Sequence, residues 1–247
     1  MNETRSGLVI AIDGPAGAGK STVARMLAEQ LQFDFLDTGA LYRCVTLAVL
    51  QSGINPCDSR QVADLAAGLR IELEGEVALL NGQDVSLAIR TPQVAAAIGT
   101  IADNLEIRHL LTQWQRDWTC GRRVVTEGRD QGSEVFHDAP CKFFLVASRE
   151  ERARRRMLEL QQRGIASDFE SVLAQQDKRD AEDFTRPVGG LRKADDAIEV
   201  CTTGLSLPAV VAQLLELASV RLSEANEDWE LRSIEEGKVS GHGGGRI

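Results

Sequence analysis

Between two segments of different periodicity the chain carries Gly14-Pro15-Ala16-Gly17-Ala18-Gly19-Lys20-Ser21, followed by Thr22. The spacing is G-x-x-x-x-G-K-[ST], and its context gives it meaning. Leu8-Val9-Ile10-Ala11-Ile12 is an unbroken apolar run that predicts a buried parallel strand. Val23, Met26, Leu27 and Leu31 recur at helical spacing on the other side. Strand, glycine loop and helix in that order form a cradle for phosphate. Glycines let the chain curl so that successive N–H groups face an anion, and the helix adds the positive end of its dipole. Gly14 to Thr22 are therefore the candidate binding loop for a nucleoside triphosphate. Lys20 can reach its β- and γ-phosphates, and the Ser21 hydroxyl can ligate Mg²⁺.

Further along, apolar strands alternate with amphipathic helices, which predicts a three-layer α/β/α architecture around a parallel central sheet. Strands are expected at 7–12, 33–36, 124–126, 141–146 and 197–200. Helices are expected at 20–31, after Asp37-Thr38-Gly39, at 62–69, 92–102, 105–118, 149–163 and 168–182, and from Pro208. Ile71 to Leu80 breaks the pattern: residues alternate, turn at Gly75-Glu76, and reach Asn81-Gly82, a strong hairpin signal. The stretch of about 65–100 thus reads as a small antiparallel and helical insert. One domain is expected over 7–222, with a helical lid at about 149–186. From 223 to 247 the chain is acidic and glycine-rich, and disorder is expected there.

Composition narrows the class. The net charge of −9 argues against binding nucleic acid or membrane through bulk charge. Five cysteines, an odd number with no C-x-x-C, point to a reduced compartment. With neither a long apolar run nor a leader pattern at the start, the expected location is the cytoplasm.

Three constellations complete a phosphoryl-transfer site. Asp37-Thr38-Gly39 follows the second strand, where ligands gather in parallel sheets, with Arg43 one helical turn on. Thr126-Glu127-Gly128-Arg129-Asp130 closes another strand. Glu127 fits a strand-end carboxylate for Mg²⁺, Arg129 can pair with phosphate, and Asp130 can accept from an exocyclic amine. Arg149, Arg152, Arg154, Arg155, Arg156 and Arg163 then crowd one segment, followed by Lys178, Arg179, Asp183 and Arg186. Arginines on a lid can neutralise a transferring phosphoryl group. Arg154, Arg155 and Arg156 are consecutive and cannot share one helix face.

Together with Val135-Phe136-His137-Asp138-Ala139 and Glu151 to Arg156, these segments resemble the bacterial cytidylate kinase family over about residues 7–220. The resemblance implies a P-loop phosphotransferase that moves the γ-phosphoryl group of ATP, with Mg²⁺, to CMP or dCMP as free nucleotides. The sequence is silent on oligomeric state, and a monomer is the default expectation. It implies that Thr38, Arg43, Arg108, Arg129, Asp130, Arg179, Asp183 and Arg186 hold the acceptor. Arg43, Arg129 and Arg186 would grip its phosphate, Arg108 and Asp130 the cytosine, and Arg179 and Asp183 the sugar. Lys20 and the lid arginines Arg154, Arg155 and Arg156 would be catalytic, and Ser21 and Glu127 would hold the metal. The chain departs from the family pattern at Ala96 and Gly99, where Asn and Ser are usual, and at Gln131-Gly132-Ser133 after Gly128-Arg129-Asp130. The alternatives are a kinase of another nucleotide or small molecule on the same fold, and a nucleotide-binding regulator without turnover.

Overall fold

The computed structural model describes residues 7–235 apart from 163 and 187. Five parallel strands form the central sheet in the order β2-β6-β1-β7-β8: β1 (Leu8–Asp13), β2 (Asp34–Asp37), β6 (Arg123–Gly128), β7 (Cys141–Val146) and β8 (Ile198–Cys201). β1 lies at the centre and all six of its residues are buried, as its unbroken apolar run requires. Ile10 and Ile12 face α1 (Lys20–Leu31) and α8 (Leu207–Glu235), sharing a core with Val23, Leu27, Phe143, Val211 and Leu214. On the opposite face, Val9 and Ala11 are covered by Val135, Phe136 and Ala139. Leu36 and Val124 meet α2 (Thr38–Ser52) and α5 (Leu105–Thr119) on that side. The result is the three-layer arrangement expected from the alternation of elements.

The insert is built around α2. After α3 (Ser59–Ala66), the strands β3 (Ile71–Glu74), β4 (Val77–Leu80) and β5 (Gln83–Asp84) pair antiparallel. Asn81 and Gly82 both take positive φ, 52° and 80°, the geometry of the two-residue hairpin turn the sequence signalled. α4 (Pro92–Ala102) begins with Thr91 as N-cap and Pro92 in the first turn, and Asn104 caps α5 by accepting from Glu106 N at 3.0 Å. α6 (Arg149–Gln162) and α7 (Phe169–Thr185) cross the carboxyl end of the sheet.

α8 continues to Glu235, so the segment expected to be disordered from 223 overlaps a helix for its first half. Its remainder, 236–247, lies outside the described residues, as does Arg163 at the end of the expected 149–163 helix.

Candidate active site

The glycine loop connects β1 to α1. Gly14 has φ +146° and passes so close to β7 that a Cβ would lie 2.1 Å from the Leu145 carbonyl oxygen. Gly19, at φ +90°, is the N-cap of α1 and brings no side chain to the helix start, which leaves the first N–H groups open to an anion. The loop carbonyls are held outward by cations. Pro15 O accepts from Lys20 Nζ at 3.0 Å, Ala16 O from Arg152 Nη1 at 3.0 Å, and Ala18 O from Arg155 Nη1 at 3.3 Å. Lys20 is buried, and that burial, then the charge of Arg129, pushes its ammonium down to about 7 against the pull of Glu127 and Asp13. A bound polyphosphate would restore the charge. Ser21 is half-buried at the loop exit and Thr22 is exposed beside it.

Ser21 Oγ donates to Glu127 Oε1 at 2.8 Å. Glu127 is the penultimate residue of β6, next to β1, and its own carbonyl accepts from Thr38 Oγ1 at 2.7 Å. Asp37 lies opposite Glu127 in the sheet register. Burial and then the Glu127 charge raise the Asp37 carboxyl above its ordinary range. A hydroxyl and a carboxylate in hydrogen-bonding contact beside the phosphate loop are the hard oxygen donors that suit Mg²⁺, a cation that keeps most of its shell for water and substrate phosphates. No group of three or more His, Cys, Asp or Glu side chains able to hold a metal occurs among the described residues.

The expected acceptor residues fall into two linked sets. Arg108 of α5 pairs with Asp130, and its Nη2 is 3.6 Å from Glu134 Oε2. Burial raises the Asp130 carboxyl, and Arg108 opposes the shift. Tyr42 adjoins this set, its phenol pushed up to about 12 chiefly by burial. In the second set Arg129 Nε donates to Asp183 Oδ2 at 2.7 Å, and Arg186 Nη1 lies 3.5 Å from Asp183 Oδ1. Burial alone would raise the Asp183 carboxyl; Arg129, with Arg179 and Arg186, outweighs it and holds the group below the usual range. Arg179 keeps solvent access along its length, yet desolvation of its guanidinium, then repulsion from Arg129 and from Arg43 and Arg156, lowers its pKa. Arg129, Arg43 and Arg156 thus repel Arg179, and such a concentration of cations is the electrostatic condition for an anion site.

The arginines of α6, expected on a lid, divide. Arg155 turns inward, with Nη2 donating to Thr202 O at 2.7 Å and Nε to Glu151 Oε1 at 3.0 Å. Arg156 is half-exposed and paired with Glu159 at 2.9 Å, its charge still felt by Arg179. Arg154 is exposed and lies 3.7 Å from Glu151. Arg152, which the consecutive triplet obscured, is the one buried on the loop, paired with Asp180 at 2.7 Å. Its i−3 and i+3 spacing to Arg149 and Arg155 is the only sequence signal of this face.

Asp13, Glu134 and Asp103 are further contributors that sequence patterns do not single out. Asp13 accepts from Gln131 N at 2.9 Å and Gly132 N at 2.7 Å, which ties the loop after β6 to the strand beneath the phosphate cradle. Asp103, at the end of α4, accepts from Arg186 Nε at 2.6 Å and joins α4 to the residue that follows α7. Gly99 leaves space there: a Cβ would lie 3.8 Å from Arg186 Nη2.

A glycine cradle at the carboxyl end of a parallel sheet, a carboxylate near the end of β6 and a cluster of arginines beside α6 and α7 are the arrangement of a phosphotransferase of the P-loop class. The profile of the family described as Cytidylate kinase matches residues 10–220, and the chain belongs to that family. It is 49% identical to a cytidylate kinase of Rhodopirellula baltica over 221 residues, covering 89% of this chain and 96% of that one. It is 48% identical to a cytidylate kinase of Carboxydothermus hydrogenoformans, covering 84% and 96%, and 42% identical to one of Saccharophagus degradans, covering 87% and 98%.

Proposed function

We propose that this chain transfers the γ-phosphoryl group of ATP to CMP or dCMP. Family membership carries the reading, and the juxtaposition of the glycine loop with the Arg129–Asp183 and Arg108–Asp130 pairs supports it. The triphosphate lies along Gly14 to Thr22, with Lys20 on its β- and γ-phosphates. Ser21 and Glu127 would hold Mg²⁺, whose charge offsets that of the polyphosphate when bound. The acceptor phosphate enters between Arg43, Arg129 and Arg186, which displaces the carboxylate partners that Arg129 and Arg186 keep in the free enzyme. Arg179 and Asp183 adjoin the sugar. Arg108 and Asp130 exchange their mutual pair for the edge of the base, with Asp130 accepting from the exocyclic amine.

An oxygen of the acceptor phosphate attacks the γ-phosphorus in line. A new P–O bond forms as the bond to the β-phosphate oxygen breaks, leaving ADP. The attacking oxygen is already anionic, so no general base is required. The work of the protein is alignment and charge compensation by Lys20 and by Arg155 and Arg156 from the lid, with Arg154 at its outer edge. α6 and α7 exclude water from the γ-phosphate. The net charge of −9 supports free nucleotides rather than nucleic acid as partners.

The test is ADP formation from ATP·Mg²⁺ with CMP, dCMP, UMP, AMP and GMP. Fast turnover with CMP and dCMP, lost in Lys20→Ala, is expected. ATP binding with no turnover on any of the five would overturn the assignment.

A further inference from the structure

The guanidinium of Arg108 is buried, and two carboxylates face it. Asp130 Oδ2 accepts from its Nη2, and Glu134 Oε2 lies 3.6 Å from the same nitrogen. Its Nη1 reaches Ala102 O at 3.5 Å. In the proposed reaction Asp130 gives up its pair with Arg108 to accept from the exocyclic amine of the base. A buried guanidinium that loses its counter-charge is destabilised. Glu134 is the carboxylate that stays beside it. Glu134 belongs to the five-residue π-turn Gln131–Val135, and its N–H donates to Asp130 O at 2.9 Å. Arg116, about two turns after Arg108 on α5, donates from Nη2 to Glu134 O at 3.2 Å and from Nε to Val135 O at 2.9 Å. One helix therefore carries Arg108 and fixes the turn that faces it. The Glu134 carboxylate is held as well, since both its oxygens accept from Gly189 N at 3.2 Å, and Gly189 lies against the guanidinium. Its side chain is 38% exposed, against 9% for that of Asp130, so its charge keeps part of its hydration.

We infer that Glu134 is a positioning residue of the acceptor site, which holds Arg108 while Asp130 is given over to the base. The inference rests on the proposed function and deepens it. In the free protein the guanidinium is shared between the two carboxylates. Opening the Arg108–Asp130 pair then leaves Arg108 with a counter-charge already in place. Without the charge of Glu134, Arg108 would rely on Asp130 alone, and the base would have to break a buried pair outright.

Glu134→Gln keeps an acceptor for the Gly189 N–H and removes the charge. The KM for CMP is expected to rise roughly fivefold, the scale of a partly exposed ion pair. The KM for ATP should stay within about twofold, because the phosphate loop shares no partner with Glu134. The melting temperature should not move. In a second comparison, Arg108→Met with Glu134→Gln should bind CMP no worse than Arg108→Met alone, since Glu134 acts through Arg108. An unchanged KM for CMP in Glu134→Gln would reduce the residue to a fastening for Gly189 and overturn the inference. Equal rises for CMP and ATP, or additive losses in the combined variant, would overturn it too. Wild-type protein without turnover on CMP would overturn the proposed function, and this inference with it.

Discussion

Ser21 Oγ and Glu127 Oε1 are 2.8 Å apart although 106 residues separate them in sequence. The contact follows from the parallel register: β6 lies beside β1, so the carboxyl end of one strand meets the loop leaving the other. Glu127→Gln preserves an acceptor for the Ser21 hydroxyl and removes the charge. Turnover is expected to fall about a hundredfold, with the half-saturating Mg²⁺ concentration rising roughly tenfold and thermal stability nearly unchanged. Chelation of Mg²⁺ should abolish activity in both proteins. A magnesium titration decides the matter, since an unshifted requirement would leave Glu127 only the task of holding Ser21.

Asp13 makes a prediction about stability. Its carboxyl is raised from 3.8 to about 7, first by burial and against its two backbone hydrogen bonds. A folded-state value above the unfolded one means that the native protein binds the extra proton between these limits. The associated stability is fully present below 3.8 and is lost as pH rises through about 7. Asp13→Asn cannot titrate. The stability of the wild type relative to the variant should therefore fall by about 2 kcal/mol between about pH 5 and pH 7. Urea denaturation at several pH values reads this directly, and parallel profiles would show that Asp13 does not titrate in that window.

Much of this fold is written locally. The β1–loop–α1 unit, the Asn81-Gly82 hairpin and the Pro92 helix start each rest on residues a few positions apart, and the structure has them within a residue or two of expectation. What was not legible depends on contacts distant in sequence. The role of Asp13 requires Gln131 and Gly132, more than a hundred residues later. The π-turn after Asp130 has no simple periodicity and read as loop. Among Arg152 and the Arg154-Arg155-Arg156 triplet, charge alone shows that a lid carries cations; only packing of α6 over Ala16 and Ala18 selects Arg152 and Arg155. At the C-terminal end, acidic composition suggested disorder from 223, whereas α8 runs on to Glu235.

Gly189 offers a test of the proposed base subsite. It has φ +64°, and a Cβ there would lie 1.8 Å from Arg108 Cζ, because the guanidinium lies against the glycine. Its N–H also reaches both Glu134 carboxylate oxygens at 3.2 Å. Gly189→Ala must displace Arg108 or distort the turn. The KM for CMP is expected to rise roughly tenfold or more, the equivalent of 1–3 kcal/mol of left-handed strain, while the KM for ATP stays within about twofold, since the phosphate loop is untouched. Equal effects on both substrates would place the damage in the whole lid rather than at Arg108.

The inward and outward lid arginines separate by the same reasoning. Arg155 links Ala18 O, Thr202 and Glu151, so it joins the phosphate loop to the segment after β8. Arg155→Ala leaves those acceptors with one partner fewer in a half-buried setting, and should destabilise the fold by about 1–3 kcal/mol as well as lower turnover. Arg154, exposed and 3.7 Å from Glu151, has little to lose in the free enzyme, because solvent screens such a pair. Arg154→Ala should therefore leave thermal stability unchanged, and any effect it has on kcat must come from the closed, nucleotide-bound lid. Comparing melting temperature with kcat for the two variants distinguishes structural from catalytic arginine. If Arg154→Ala lost more turnover than Arg155→Ala, the lid would have to rotate on closure and bring its outer face to the phosphoryl group.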